Sequence, residues 1–392
     1  MENLISQVII PPTADILIVL KFCYLLTLFI FIPFLGMTYG GSILSIFFYF
    51  SGKFGLDAKE YILGVSSTSS HHTSTKEEDV ANIEIARLIM EKVFPDRHFG
   101  FFLGVFPIVT LSFVNLQNLY GAEIHVAPMF IKATVFSALG YYFLYKWRKA
   151  LTDEHFFGMI EAKTKACDYD LNDQLHERKL QSQSSSGLAC ILGPTFLTFA
   201  IIYMVAAINI IQSPTHWASI HNLYDATFLG AFWMQLGLFA AASVALTSGA
   251  ILKFVCSCDS KISDLGFSQI KSFASNVGFW TVLFFPVAVA FYLNLIPKEA
   301  YTSKIVCYSG TSLLFFLIIA YRLYYLVGTS DRRSGSCSVF ALMVIAFGFI
   351  SLSGDAARVQ ATHEYVNTIV VHSDKTSHGH STESVTNNSK HH

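Results

Sequence analysis

The sequence predicts an all-α transmembrane helical bundle of about eight spans, and two properties of the chain carry that prediction. Of its 392 residues, 53% are hydrophobic and only 14% are charged, and the mean hydropathy is +0.49. A soluble protein needs roughly 25% charged residues to cover its surface. The apolar residues are also gathered into long runs, and about 20 such residues make a helix that crosses a bilayer. A water-soluble globular enzyme is therefore excluded.

The first apolar run, 16–50, predicts a single long helix that protrudes from the bilayer. It is too long for one straight crossing and too short for two crossings with a turn. Pro33 predicts a kink, and the Gly36-x-x-x-Gly40 spacing predicts a close approach by a neighbouring helix. Residues 1–15 lack a basic segment and an early cleavage site, so we expect a retained span rather than a signal peptide.

Seven later apolar runs predict the remaining spans. Each run, together with a few flanking residues, is long enough for one crossing. They lie near 99–120, 128–147, 187–211, 226–255, 276–296, 304–327 and 338–353.

Two longer polar segments, 51–98 and 148–186, separate some of these spans. In the first, Thr75-x-x-Glu78 predicts the capped start of a helix that lies against the bundle. The apolar face expected for that helix consists of Ile85, Leu88, Ile89 and Val93. The second segment ends in a serine-rich stretch, 181–186, which predicts a flexible linker.

The distribution of Lys and Arg predicts which side of the membrane each loop faces. One set of alternate loops holds 17 basic residues, whereas the opposite set, together with both termini, holds 5. The smaller set is Lys298, Lys304, Arg358, Lys375 and Lys390. Because cytoplasmic loops carry the excess of positive charge, we expect both termini on the non-cytoplasmic side.

A recurring motif predicts that the chain is built from two four-helix halves. The run from Gly100 to Pro107 is similar to the run from Gly278 to Pro286. Because each half has an even number of spans, both halves enter the membrane from the same side. They would then be related by a pseudo-twofold axis along the membrane normal. The expected division is 1–211, 212–355, and a polar, His-containing non-cytoplasmic tail, 356–392, disordered in part. Chance similarity between Phe-rich helices is the alternative.

Histidine placement suggests a cofactor site outside the centre of the membrane. No predicted span has a histidine at its centre, which argues against a bis-histidine haem at mid-membrane. On the predicted outer side lie His125, His216, His221 and His363. Neutral imidazole binds haem iron, copper or zinc, so these residues are candidate haem or metal ligands. The alternative is that they are solvated loop histidines.

Carboxylates near the outer boundary suggest proton transfer. Glu123 and Asp225 are candidates to accept a proton from a quinol hydroxyl as it is oxidised. The pair Cys256-x-Cys258 has no further ligands beside it, so no separate metal-ion site is predicted. The net charge of −1 gives no basic field for nucleic acid.

Parts of the chain resemble a known family. The runs 20–44, which contains Ile-Pro-Phe-Leu-Gly-Met-Thr-Tyr-Gly-Gly, 102–121 and 226–249 are similar to spans of prokaryotic respiratory membrane proteins associated with multihaem c-type cytochromes. These proteins are distantly like the large subunit of cytochrome bd. The resemblance implies an electron-transfer subunit of a bacterial inner membrane that contacts quinol, c-type cytochromes and other membrane subunits. The family carries histidine within these helices, whereas this chain has Phe, Pro and Trp there, so the family's haem positions do not carry over.

Two other functions stay open from the sequence. Lys21, Lys132 and Arg322 lie within predicted spans, where ionisable residues often serve a function. Lys21, Lys132 and Asp225 could line the path of a transporter or channel, although lysines near a boundary also extend to the surface. A structural membrane subunit without a cofactor is the remaining alternative.

Overall fold

The computed structural model describes residues 14–62, 72–119, 126–164, 169–220, 222–255, 264–328 and 336–386, and these ranges contain helices and no strand. The α-helices are α1 (Ala14–Ile62), α2 (His72–Val93), α3 (Arg97–Asn118), α4 (Ala127–Thr164), α5 (Tyr169–Ile211), α6 (Leu223–Thr227), α7 (Gly230–Ala250), α8 (Asp264–Leu295), α9 (Ser303–Gly328) and α10 (Ser336–Thr386). Short 3-10 helices lie at Pro214–Ser219 and Lys298–Ala300, and α7 continues into a π-helical turn, Ile251–Val255.

Eight of these helices are long and apolar enough to cross a membrane, which confirms the predicted class and number of spans. The candidate spans are Ile18–Lys53, Arg97–Asn118, Ala127–Phe157, Gly187–Ile211, Gly230–Phe254, Phe267–Leu295, Ser303–Val327 and Cys337–His363. Many large apolar side chains on their outer faces are exposed, as contact with lipid requires. The protein is therefore a multi-pass integral membrane protein.

The prediction of one long first helix is confirmed, and the kink at Pro33 stays a prediction. The segment is one continuous helix, α1, with Pro33 inside it. Gly36 and Gly40 pack against α7, and a Cβ atom added to Gly36 would lie 2.9 Å from Leu246 Cδ1. The same atom added to Gly40 would lie 2.8 Å from the backbone carbonyl carbon of Ser243. The predicted close approach of a neighbouring helix is confirmed.

The two polar segments differ from their predictions in detail. The apolar face predicted for α2 is buried, since Ile85, Leu88, Ile89 and Val93 are each at most 5% exposed. However, α2 begins at His72, so Thr75 lies inside the first turn and does not precede the helix. The serine-rich stretch predicted as a linker is helical and belongs to α5. Each of its four serines costs a helix only about 0.5 kcal/mol, which the apolar continuation of α5 compensates.

The last span is longer than its sequence suggested. The apolar run ends at Ser353, but α10 continues without a break to Thr386. Asp355 and Arg358 consequently lie on the membrane-spanning helix rather than beyond its end. A span can extend past a charged residue when a charge of opposite sign on the same helix compensates it.

The eight spans form two rings of four helices with the same pattern of neighbours. In the first half α1 contacts α3, α3 contacts α4, α4 contacts α5, and α5 returns to α1. In the second half α7, α8, α9 and α10 contact one another in the same order. The halves join through their first and fourth helices, with α1 against α7 at the centre. Two copies of one four-helix unit would have this arrangement.

The motifs that suggested the repeat also occupy matching positions. Gly100 of α3 packs against Tyr145 of α4, and Gly278 of α8 packs against Leu323 of α9. Tyr145 and Leu323 lie the same number of residues after their glycines. Gly100 allows α3 and α4 to approach closely, whereas a Cβ atom added to Gly278 would lie nearest to Ser248 of α7, at 3.2 Å, and 3.5 Å from Leu323. The two-half repeat therefore stays a prediction.

Candidate ligand-binding site

The residues predicted as cofactor ligands are not brought together among the described residues. His216 lies on the 3-10 helix Pro214–Ser219 and His363 at the C-terminal end of the last candidate span, and both are exposed. His125, His221 and Glu123, together with the Cys256-x-Cys258 pair, lie outside the described residues. Among the described residues, no three His, Cys, Asp or Glu side chains form a group that could hold a metal ion.

Asp225 has a structural role at the start of a short helix. Its Oδ2 accepts a hydrogen bond from the backbone N–H of Asn222 at 3.0 Å. The Asn222 side chain in turn accepts from the backbone N–H of Asp225, which completes a capping box. Asp225 therefore satisfies backbone groups of α6, and it is absent from the lining of the central cavity described below.

The three basic residues that the sequence places within spans lie on the outside of the bundle. Lys21, Lys132 and Arg322 are all exposed. The Lys132 Nζ atom lies 5.4 Å from the centre of the Tyr203 ring, a favourable cation–π distance. None of the three lines the central cavity, and Asp225 does not line it either, so a path along Lys21, Lys132 and Asp225 would not pass through this cavity.

The central cavity, of about 180 Å³, lies where the two halves join. It is bounded by α1, α5, α7, α8 and α10 near the end of the bundle that contains Tyr24 and Arg358, named here the Tyr24 end. Most of its wall is apolar and aromatic: Leu28, Ile32, Val205, Ile208, Leu238, Phe239, Ala242, Phe285, Tyr292, Phe347 and Ile350. The polar side chains of the wall are Tyr24, Gln212, Gln235, Ser351, Asp355 and Arg358.

A buried ion pair forms the charged part of this wall. Arg358 Nη2 donates to Asp355 Oδ1 at 2.7 Å, and Nε donates to the same oxygen at 3.3 Å. The two side chains are only 4% and 7% exposed, respectively. The guanidinium also stacks on Tyr24, with Cζ 4.2 Å from the ring centre. Asp355 and Arg358 lie one helical turn apart on α10, and the ring of Tyr24 on α1 covers the guanidinium.

A chain of amide side chains forms the rest of the polar wall. Asn209 Nδ2 donates to Gln235 Oε1 at 2.7 Å, and Gln235 Nε2 donates to Gln212 Oε1 at 2.8 Å. Gln212 Nε2 then donates to the backbone carbonyl of Gly354 at 3.2 Å. The chain connects the end of α5, the start of α7 and α10, and so it joins the two halves beside the ion pair.

This arrangement suits a small molecule with an apolar body and a polar end. A dry cavity of about 150 Å³ holds one benzene molecule, so the central cavity accommodates roughly one six-membered ring. The aromatic wall offers ring contacts, and the amides and ion pair offer donors and acceptors at one side. Ligand pockets in proteins commonly combine apolar walls with a few polar groups in this way.

The sequence contained a signal for these residues, but it was incomplete. Asp355 and Arg358 have the i, i+3 spacing of a helical ion pair. The pair was missed because the predicted span ends at Ser353.

The amide chain gave no such signal. Asn209, Gln212 and Gln235 lie within or beside apolar runs, but their convergence depends on contacts between helices that are distant in the sequence.

Comparisons with protein-family models, with curated proteins and with solved structures found no match for this chain.

Proposed function

We propose that this protein binds the ring of a quinol in the central cavity, as a membrane subunit of an electron-transfer complex. The observation that supports the proposal most is the cavity itself, which has the size of one ring, apolar and aromatic walls, and polar groups on one side. A quinol is a lipid-soluble ring with hydroxyl groups, so its chemistry matches both parts of the wall. The family resemblance of α1, α3 and α7 points to the same class of ligand.

Asp355 takes the role of proton acceptor in this proposal, in place of Glu123 and Asp225. It is the one carboxylate among the residues that line the cavity, and Arg358 Nη2 donates a hydrogen bond to its Oδ1 at 2.7 Å. Oxidation of a quinol releases two protons and two electrons. Asp355 accepts one proton, the second leaves to water, and the electrons leave to a c-type cytochrome partner. Gln212 and Gln235 supply hydrogen bonds that orient the ring.

The excess of basic residues on the opposite loops supports placing the Tyr24 end on the non-cytoplasmic side of a bacterial inner membrane. A c-type cytochrome on that side would approach the cavity over a short distance. Labelling a cysteine introduced at Thr215, which is exposed at the Tyr24 end, tests this placement on intact cells. Labelling from outside agrees with the proposal, and labelling only after lysis contradicts it.

A cavity-filling variant tests quinol binding. Ala242 lines the cavity, and Ala242→Leu adds three carbon atoms to a space of about 180 Å³. Ala240 is on the same helix, is exposed and does not line the cavity, so Ala240→Leu is the matched control. We expect the purified protein to bind a short-chain quinol in equilibrium dialysis, Ala242→Leu to lower the affinity at least tenfold, and Ala240→Leu to leave it unchanged. Equal affinity in both variants, or no binding by the natural chain, contradicts the proposal.

The haem prediction remains part of the proposal and has a direct test. A Soret band in the visible spectrum of the purified protein supports a bound haem. Replacement of His125, His216, His221 or His363 by Ala should then shift or remove the band if that residue is a ligand. A spectrum without a Soret band removes haem from the proposal but leaves the quinol test intact.

Transport is the second candidate function, and the position of the cavity favours it. Secondary transporters commonly bind their substrate between two structural repeats, and this cavity lies between two similar four-helix units. The wall presents a carboxylate and a guanidinium, which together complement a small zwitterion. Uptake of labelled alanine into proteoliposomes, abolished by Ala242→Leu, supports transport over quinol oxidation. If the protein neither binds quinol nor transports alanine, the structural subunit is the function that remains of those considered.

A further inference from the structure

A second pocket, of about 440 Å³, lies at the opposite end of the bundle, between the start of α3 and the middle of α4. This end, named here the Arg148 end, is unrelated to the central cavity in position and in chemistry. The side chains of Arg97, Lys146, Arg148 and Lys149 contribute to its wall. Asp153 is the single carboxylate among the residues that line it. The pocket is therefore strongly basic.

The cations of the pocket are held in different ways. Two backbone carbonyls hold the Arg148 guanidinium in place. Its Nη1 donates to the carbonyl oxygen of Pro95 at 2.6 Å, and its Nη2 donates to the carbonyl oxygen of Glu91 at 3.4 Å. Arg97, Lys146 and Lys149 are exposed. Backbone carbonyls orient the Arg148 guanidinium without neutralising its charge, so the site keeps a fixed cation beside three exposed ones.

The pocket lies at the expected boundary between hydrocarbon and water. The candidate span of α3 begins at Arg97, and α4 carries its basic residues towards the end of its own candidate span. Apolar side chains continue from the pocket along the outside of the bundle. Tyr142 lines the pocket and is 51% exposed, and Leu139 and Val135, three and seven residues before it on the same face of α4, are 38% and 52% exposed. The surface thus places a basic site directly beside a lipid-facing apolar one.

We propose that this pocket binds the phosphate of an anionic phospholipid, with the acyl chains lying along the exposed apolar face of α4 formed by Tyr142, Leu139 and Val135. Basic pockets between transmembrane helices at the cytoplasmic side bind anionic lipid head groups. Guanidinium and ammonium groups are the usual donors to phosphate, and Arg148 is already oriented by its carbonyl contacts. The same donors would bind a soluble phosphate, but the adjoining apolar face of α4 favours a lipid.

Lipid titration of the detergent-solubilised full-length protein tests the proposal. Phosphatidylglycerol is the anionic probe, phosphatidylcholine is the neutral one, and native mass spectrometry measures the bound fraction. We expect saturable binding of phosphatidylglycerol over phosphatidylcholine. Lys146→Gln/Lys149→Gln should weaken it by roughly 25-fold, because each interfacial cation contributes roughly fivefold. The matched control is Lys298→Gln/Lys304→Gln, which removes two exposed lysines from the Tyr24 end and should leave binding unchanged.

Two further measurements distinguish lipid binding from misfolding and from binding of a soluble phosphate. Lys146→Arg/Lys149→Arg keeps the charge and should retain binding, which separates loss of charge from loss of folding. Inorganic phosphate alone should not raise the melting temperature. If it does, and the rise is lost in the Gln double variant, the ligand is a soluble phosphate and the lipid proposal is overturned. Equal binding of both lipids, or equal loss in the control variant, also overturns it.

Discussion

Helices α1 and α7 contact each other in two different ways along their length. Around Gly36 and Gly40 the two backbones approach closely, and Thr247 Oγ1 donates across to the carbonyl oxygen of Met37 at 3.1 Å. Further towards the Tyr24 end, larger side chains such as Leu28 and Phe239 line the central cavity. The first region is named here the glycine seam. Small facing side chains let the two helices pack closely in the glycine seam, whereas larger side chains between the same two helices line a cavity.

The difference has a physical explanation. Within lipid, helices associate through close packing and interhelical hydrogen bonds, because burial from water no longer drives them together. A seam of small residues provides both, and it anchors the two halves of the bundle at one level. The space beside it can then remain open, held by the amide chain and by the ion pair on α10. We therefore expect the glycine seam to be sensitive to the size of its side chains. The wall of the central cavity should be sensitive to the charge of its side chains.

The largest effect is expected from breaking the ion pair of the cavity wall. Asp355→Asn leaves Arg358 buried without a counter-charge, which typically costs about 3–5 kcal/mol of unfolding free energy. Asp355→Asn/Arg358→Gln removes both charges and should recover most of that loss. Unfolding of the purified protein by titration with denaturing detergent measures both variants.

A pair that is more open to solvent provides the control for this prediction. Arg87 and Glu91 form an i, i+4 pair at 2.9 Å, with side chains 17% and 36% exposed. Glu91→Gln should cost only about 1 kcal/mol, since ion pairs that solvent reaches contribute little. If Asp355→Asn costs no more than Glu91→Gln, the wall of the cavity is not held by its charges and the contrast with the glycine seam fails.

An intermediate effect is expected from enlarging the glycine seam. The Cβ atom of Gly40→Ala would meet the backbone of Ser243, which cannot move without shifting α7. Overpacking of this kind costs about 1–3 kcal/mol. Gly310→Ala is the control, because Gly310 lies on a helix with no atom near its added Cβ. That control should be neutral or stabilise by about 0.5–1 kcal/mol, since alanine favours helix over glycine. Equal stability of the two variants would show that the seam is not close-packed.

The sequence predicts the seam better than the cavity. Composition and apolar length are sufficient for the eight spans, and the spacing of Gly36 and Gly40 is a local pattern with a direct packing consequence. The cavity depends on residues that are far apart in the chain, such as Tyr24, Gln235 and Arg358, which meet only after the two halves join. Their meeting depends on which helices are neighbours, and no single helix encodes that.

The smallest effect is expected from the hydrogen bond across the glycine seam. Thr247→Val keeps the shape of the side chain but removes the donor to the Met37 carbonyl, which still accepts from its own helix. Interhelical hydrogen bonds in membranes contribute about 0.6 kcal/mol on average, so we expect a loss of that size. Thr311→Val is the control, because Thr311 Oγ1 donates within its own helix, to the carbonyl of Cys307. A loss above about 2 kcal/mol for Thr247→Val would mean that polar bonding rather than close packing holds the seam, and the distinction between seam and cavity wall would then be one of degree.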